Sequence, residues 1–360
     1  MWSFPSGWEE LIWAAARAEL PAAALEPRVL AAAIDARSHL YTAGRASLGA
    51  PLTGAAGERD LAARAVFFTV ADAMKVAIPI AELRGRGLLP PSPLRVLDVG
   101  AGVGAMTFGV SAALPDRSCR VTAVDRDARA LALLRRVTAA LPVEVVTLTA
   151  DVTRPPPDGP FDLVVAGSVL NELPAGEHRP LLDRLLARVT DEGAVIVVEP
   201  ALRDTARALH RLRDELIAAG AAHVFAPCTR RGPCPALDDP RDWCHEDRPF
   251  AAPPRLASLM HRTGLRPGGL KFAYLTLRKR PEPLVAAAVP ALRVVSGPLD
   301  QKGTIERIVC SDDGRRRLRV LKRDRSDDNR ALGEARRGDV ILAAADGAVL
   351  ARVEPARPGT

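Results

Sequence analysis

Aromatic residues are scarce in this 360-residue chain: eight Phe, four Trp and two Tyr make up 4% of it. Lysine is scarcer still, since five of the 50 basic residues are Lys and the other 45 are Arg. Beside abundant Ala and 31 Pro, that bias is a property of composition before it is a sign of function. No apolar run reaches the roughly 18 residues of a membrane span, because Arg, Glu or Asp interrupts the alanine-rich stretches. Met1–Glu19 lacks a basic head before an apolar core and carries Glu9 and Glu10, so neither a secretory signal nor an organellar presequence is expected there. A cytoplasmic chain is expected. Five cysteines in a chain of this size do not make a disulfide framework. What remains is globular: 48% hydrophobic and 26% charged residues exclude a mainly disordered chain, and the length fits two domains or one large domain with an appendage.

Charge is unevenly placed. Residues 1–199 carry 20 basic and 23 acidic side chains, net −3, and residues 200–360 carry 30 and 20, net +10. A basic half suits a phosphate-rich partner, because each Arg–phosphate contact releases counterions. A solvated Arg-rich surface is the plainer alternative.

Residues 1–90 read as a helical region. Leu11–Leu20, Leu25–Tyr41 and Leu61–Arg84 space their apolar residues by three and four, and the Gly/Pro-rich stretch Gly44–Gly57 separates the last two. Pro79 is expected to kink or end the third helix. From Leu94 short apolar runs alternate with helical stretches. Strands are expected at Arg95–Val99, Arg120–Val124, Val143–Leu148, Phe161–Ala166, Ala194–Val198 and Leu270–Leu277. Helices are expected at Ala105–Leu114, Ala128–Leu141, Arg179–Val189 and Arg203–Ala219. This alternation predicts an α/β fold, a doubly wound parallel sheet covered on both faces, over residues 91–285. Within it, residues 221–255 hold three Cys and seven Pro with few aliphatics. Residues 286–360 read as a small basic β unit, barrel-like, with strands at Leu292–Val295, Gly303–Ser311, Arg317–Leu321 and Val340–Arg352.

The strongest motif is Val96-Leu-Asp-Val-Gly-Ala-Gly-Val-Gly104, a strand ending near Asp98 followed by Gly100, Gly102 and Gly104 before a helix. Glycines permit positive φ and let backbone approach a ligand. The spacing is G-x-G-x-G rather than the G-x-G-x-x-G that cradles a pyrophosphate. It resembles the class I S-adenosylmethionine-dependent methyltransferases. Asp125, ending the next strand 25 residues after Gly100, stands where a carboxylate accepts ribose hydroxyls, and Asp151 suits the adenine edge. An NAD-type domain or an empty structural copy is the alternative. After the fourth strand comes Ala166-Gly-Ser-Val-Leu-Asn-Glu-Leu173, where a methyl acceptor would lie. Ser168 belongs with the cofactor residues, and Asn171 and Glu172 are candidates to orient an acceptor. The Asn/Asp-Pro-Pro-aromatic motif of base N-methyltransferases is absent here, and a capped helix start is the simpler reading. Glu199 is expected to line the same cleft or to pair with Arg203 or Arg207.

Cys228, Cys234 and Cys244 fall within 17 residues, and Cys310 follows 66 positions later. Three thiols in a Pro-rich, core-poor loop point to thiolate–metal bonds as a staple. The spacings lack the two-to-four-residue knuckles usual for zinc, whereas an iron–sulfur cluster accepts wider ones. Zinc stays as the alternative, with His223 and His245 as further possible ligands.

Together these features resemble one family, the methyltransferase-like proteins of small ribosomal subunit assembly found in bacteria and mitochondria. The resemblance spans roughly residues 30–340. It rests on the glycine loop, on Ser168–Leu173, on Val197–Pro200 leading into Ala206–Arg213, and on Phe225-Ala-Pro-Cys228 with Cys234 and Cys244. Phe272–Leu275, and Cys310 followed by Ala335–Asp339, complete it. It implies a class I methyltransferase fold and a [4Fe–4S] cluster on Cys228, Cys234, Cys244 and Cys310. It also implies binding to the immature small subunit near its rRNA, as an assembly factor or an rRNA methyltransferase. The phosphate contacts expected of such a protein fall to Arg230, Arg231, Arg315, Arg316, Arg317, Arg319, Lys322, Arg323 and Arg325, which position without reading sequence. A monomer with no membrane partner is expected. The rival is a small-molecule methyltransferase with structural zinc and a closed apolar acceptor pocket. A radical adenosylmethionine enzyme is excluded, because its C-x3-C-x2-C loop is missing and four cysteines would close the cluster.

Overall fold

Runs of Val, Leu and Ile bounded by Pro, Asp or Gly pair into sheets, while the Ala- and Leu-rich stretches coil. The computed structural model describes residues 1–44, 52–265, 269–344 and 349–357. After a two-residue strand β1 (Trp2–Ser3) the chain is helical: α1 (Ser6–Glu19), α2 (Pro27–Thr42), α3 (Gly54–Ala63) and α4 (Val70–Gly85), with a π-helical stretch, Arg64–Thr69, between the last two. Of the expected break at Gly44–Gly57, residues 45–51 lie outside the described residues, and α3 already starts at Gly54. Pro79 does not end its helix. Every residue from Ala73 to Leu83 is buried, so packing outweighs the roughly 3 kcal/mol an interior proline costs.

The alternating region gives β2 (Leu94–Val99), α5 (Ala105–Ala113), β3 (Cys119–Asp125), α6 (Ala128–Thr138), β4 (Glu144–Thr149), β5 (Phe161–Gly167), α7 (Ala175–Arg188), β6 (Val189–Pro200) and α8 (Arg203–Ala218). It continues through β7 (His223–Ala226), β8 (Glu246–Arg248), β9 (Phe250–Ala251), α9 (Pro254–Thr263) and β10 (Leu270–Arg278). The main sheet runs β4-β3-β2-β5-β6-β10-β7, with β8 also on β10. The pairings from β4 to β6 are parallel and those of β10 antiparallel. Val96 of β2 faces a core built with α1, α4, α5 and α6, while Leu97 and Val99 face a second core with α7 and α8. The doubly wound sheet is therefore present. The chain leaves β2 toward β3 and returns beyond it at β5, so the switch point of the topology, where such sheets bind ligands, lies at the carboxyl end of β2.

Strands in the cysteine-rich stretch were not legible beforehand. β7 extends the main sheet, and β9 pairs in parallel with β1, which ties the first residues to Phe250 and Ala251. The C-terminal unit is an antiparallel sheet of β11 (Ala291–Val294), β12 (Thr304–Ser311), β13 (Gly314–Leu321), β14 (Val340–Ala343) and β15 (Val349–Val353), with a short α10 (Arg330–Glu334). Its order is β13-β12-β11-β14-β15. Among the described residues β13 and β15 do not pair, so it is an open sheet and not a closed barrel. Val340–Arg352 is two strands, and residues 345–348 lie outside the described residues. Leu292, Val294, Ile305, Val309 and Ile341 form its own core. Arg293 of β11 docks it: one nitrogen donates to Glu82 of α4 at 3.0 Å, the other to Glu246 at 3.0 Å and to the Tyr274 hydroxyl at 3.1 Å. No helix among the described residues is long and apolar enough to cross a membrane.

Candidate functional site

A cleft of about 560 Å³ opens at the switch point. Gly100, Gly102, Asp125, Asp151 and Ser168 all line it, so five residues singled out from sequence meet at one place. The three loop glycines have positive φ, for different reasons. A Cβ on Gly100 would lie 2.5 Å from Val169 and one on Gly104 2.4 Å from Leu134, whereas one on Gly102 (φ +53°) would meet no protein atom within 4 Å. Gly102 is thus the backbone left bare toward the cleft. Its N–H donates to Asp125 at 2.7 Å, and the other Asp125 oxygen accepts from the Asp127 N–H at 2.8 Å. Each carboxylate oxygen keeps a second lone pair.

Asp98 and Gly104 do not line the cleft. Asp98 is fully buried and accepts from the Thr107 N–H at 2.9 Å and hydroxyl at 2.7 Å, which fastens α5 to β2. Burial pushes its carboxyl up to about 7, and its second oxygen has no protein partner. Asp151 accepts from the N–H and hydroxyl of Thr153, which hold it below the usual carboxylate range.

The far wall comes from the N-terminal helices and was not foreseen. Arg37, Tyr41, Asp60, Arg64 and Phe68 face the glycine loop across the cleft. Asp60 bridges Arg37 and Arg64, and Arg64 also pairs with Asp127, which caps α6. Arg64 and Phe68 sit in the π-helical stretch, a form that often marks functional sites. Tyr41 packs edge-on against Phe68, with centroids 5.3 Å apart, and Arg37 lies over its ring at 5.4 Å.

Ser168 (φ +58°) leads into a short 3-10 turn, Leu170–Glu172, and caps no helix. Glu199 neither lines the cleft nor pairs with Arg203 or Arg207. It is buried, and its oxygens accept from the N–H groups of Leu170 at 2.8 Å and Asn171 at 3.2 Å, so it shapes the turn from beneath. Burial raises it to about 8. Glu172 lines the cleft, raised by burial and facing Arg126 at 3.9 Å. Asn171 lies outside the lining, and both polar atoms of its amide are buried without a protein partner.

A second, small cavity is lined by Cys228, Cys234, Cys244 and Cys310 together, with His210, Arg213, His245, Arg293 and Arg315. Cys119 and His223 are not part of it. Burial pushes the thiols of Cys234 and Cys310 up to about 12 and raises Cys244, so without a cation these groups stay protonated. Desolvation lowers His210 and His245 to about 4, leaving both neutral. The ring Nδ1 of each, and the Nε of Arg213 and of Arg293, are buried without a protein partner. Among the described residues no group of three or more His, Cys, Asp or Glu side chains is arranged to hold a metal ion.

The basic residues expected to meet phosphate divide. Arg230 donates to the carbonyls of Pro233, Ser311 and Asp312, and Arg315 pairs with Asp242, so both are committed to holding the cysteine segments together. Arg231, Arg316, Arg317, Arg319, Lys322, Arg323 and Arg325 are exposed. Arg317 pairs with Glu306 at 2.7 Å across β12 and β13.

A sequence profile described as "Mitochondrial small ribosomal subunit Rsm22" matches residues 89–342. No curated protein matches the chain. Similar solved structures include magnesium protoporphyrin IX methyltransferase (ChlM) from Synechocystis PCC 6803 with bound SAM, 15% identical over 68% of this chain and 96% of that one, TM-score 0.37. The plantazolicin methyltransferase BpumL in complex with SAH is 13% identical over 69% and 99%, TM-score 0.41. TehB from Haemophilus influenzae is 14% identical over 57% and 62%, TM-score 0.37. These likenesses carry nothing about chemistry.

Proposed function

The chain belongs to the family described as mitochondrial small ribosomal subunit Rsm22, and from that premise we propose that it is an S-adenosylmethionine-binding, [4Fe–4S]-containing factor of the small ribosomal subunit. The observation that carries the cofactor reading is the pair at the switch point: Gly102 with bare backbone toward the cleft, and Asp125 beside it with lone pairs free for ribose hydroxyls. Asp151 lies on the adenine side. Held by Gly102, Asp125 and Asp151, S-adenosylmethionine would supply an electrophilic methyl group, and Glu172 or solvent would take the proton that an acceptor gives up. Glu172 orients the acceptor, with Tyr41 and Phe68 supplying the aromatic surface that Ser168–Leu173 lacks; Asn171, outside the lining, has no part in it. Orientation contributes much of such a rate. The rival reading required a closed apolar acceptor pocket, and the charged wall of Arg37, Asp60, Arg64 and Glu172 speaks against it.

Cys228, Cys234, Cys244 and Cys310 are the ligands in this reading. Four thiols around one cavity with arginines at its wall suit an anionic cluster. A single zinc at 2.3 Å would draw four sulfurs to within ~4 Å of one another. When bound, the cluster supplies the cation that makes these thiols thiolates. The exposed arginines of β13 meet rRNA phosphates. The domain boundaries near residues 90 and 285, the monomeric state and the cytoplasmic placement belong to the same proposal; gel filtration and fractionation check the last two.

The test is methyl transfer from labelled S-adenosylmethionine to immature small subunits by anaerobically purified protein. Label in rRNA that Gly102→Arg abolishes makes the chain an enzyme. No label from particle-bound protein that binds the cofactor makes it a non-catalytic assembly factor. Protein that binds neither cofactor nor particles refutes the proposal.

A further inference from the structure

Three side chains of α8, spaced i, i+3 and i+6, reach into the cysteine loop. Arg207 Nη1 donates to the carbonyls of Ala236 at 2.8 Å, Asp239 at 2.7 Å and Asp242 at 2.7 Å, and its Nη2 to that of Leu237 at 3.2 Å. His210 Nε2 lies 3.1 Å from the carbonyl oxygen of Cys244 and 3.2 Å from its amide nitrogen. Arg213 donates to the carbonyls of Gly232 at 2.8 Å and Arg230, and the adjacent Asp214 accepts from the Cys234 N–H at 2.9 Å. All three are buried. A loop with hardly any ladder of its own thereby has its carbonyls gathered on guanidinium forks, which present fixed donors where carbonyls would otherwise repel one another.

The second thiol-bearing segment is fixed to the first without help from the cavity. The Thr229 hydroxyl donates to the Cys310 carbonyl at 3.2 Å, and the Arg231 N–H to Asp312 at 2.8 Å. Arg315, which pairs with Asp242, stands directly across β12–β13 from Cys310. Sequence composition made the loop look unable to hold itself without a metal. These bonds supply the missing support from protein alone.

We propose that Arg207, His210 and Arg213 are positioning residues that hold Cys228, Cys234 and Cys244 around their cavity whether or not a metal group is bound. The loop is then folded before an iron–sulfur cluster binds, unlike small metal domains whose metal binding is their folding. The inference rests on the cluster reading above. Its consequence is that the cluster can leave and return without unfolding the chain.

The test is amide hydrogen exchange over residues 228–244 in the full-length protein, as purified anaerobically and after chelation, with iron and sulfide assayed in parallel. Protection in the chelated wild type is expected to stay within about tenfold of the loaded form. Fast exchange there, at an unchanged thermal midpoint for the rest of the chain, overturns the inference. Arg207→Lys keeps the charge and loses the fork. It is expected to exchange more than about tenfold faster across the loop and to show an altered visible spectrum after reconstitution. A wild-type spectrum in that variant also overturns the positioning role. A protected loop that never takes up iron or sulfide refutes the cluster reading instead, so the two failures are told apart.

Discussion

The Gly102 N–H donates to the Asp125 carboxylate at 2.7 Å, joining the bare point of the glycine loop to the end of the neighbouring strand before any ligand arrives. The loop and the carboxylate proposed to bind ribose are therefore braced against each other. Asp125→Ala loses that brace and the charge-assisted bonding to the ligand, worth a net of roughly 1.5–3 kcal/mol. S-adenosylmethionine affinity by calorimetry is expected to fall about 10- to 100-fold. An unchanged affinity removes Asp125 from the site.

Gly102 and Gly104 separate binding from stability. Gly104→Ala places a Cβ 2.4 Å from Leu134 at φ +102°, and is expected to cost about 1–3 kcal/mol and lower the thermal midpoint. The Cβ of Gly102→Arg meets no protein atom within 4 Å and its side chain is directed to the cleft, so the folding cost expected is about 1–2 kcal/mol of backbone strain while cofactor binding disappears. Melting curves and calorimetry on the pair decide whether the two roles are distinct.

Burial raises Glu199 to about 8 and Asp98 to about 7 in the folded chain, from ordinary values of 4.5 and 3.8. The folded state keeps protons that the unfolded state has released. The stability these groups contribute is whole below their unfolded values and is lost as pH rises through the folded ones. Glu199→Gln is neutral at every pH, so its denaturant midpoint is expected to fall less than that of the wild type between about pH 5 and pH 9. Parallel curves would place the Glu199 proton elsewhere.

Arg293 is the buried cation between Glu82 and Glu246. Arg293→Met leaves the buried Glu82 carboxylate without its ion-pair partner, Glu246 keeping Arg248 at 2.9 Å, which typically costs about 3–5 kcal/mol. Combining it with Glu82→Gln is expected to recover part of that loss. A single variant as stable as the wild type in urea would show that the node is not what docks the C-terminal sheet.

Arg316, Arg317 and Arg319 are exposed on β13. In the proposed RNA contact, replacing all three with Ala flattens the slope of log affinity against log salt by up to ~0.7–0.9 per lost phosphate contact. Filter binding to small-subunit rRNA over a salt series measures it. An unaltered slope moves the RNA surface elsewhere.

The doubly wound core was legible because strands buried on both faces read as unbroken apolar runs, as in Leu163–Ala166 and Val195–Val198. The glycine loop was legible because φ restricts it to glycine. Arg207, His210 and Arg213 were placed on a helix but not against the cysteine loop, since nothing in a sequence separates an arginine that meets water from one that meets carbonyls. Glu199 was misread for the same reason, its partners being backbone N–H groups that every residue carries. The wall of Tyr41 and Phe68 was missed because it comes from helices remote in sequence. β7 is four residues long, too short to stand out among prolines.

The docking of β11 also sets an order on the chain's birth. Glu82, Glu246 and Tyr274 all leave the ribosome before Arg293, and three of the four cavity thiols leave it 66 residues or more before Cys310. Until that late stretch is released, Glu82 awaits its cation and the thiol cup has one side open. The cysteine cavity is thus completed only once Cys310 has emerged, well after its other three thiols.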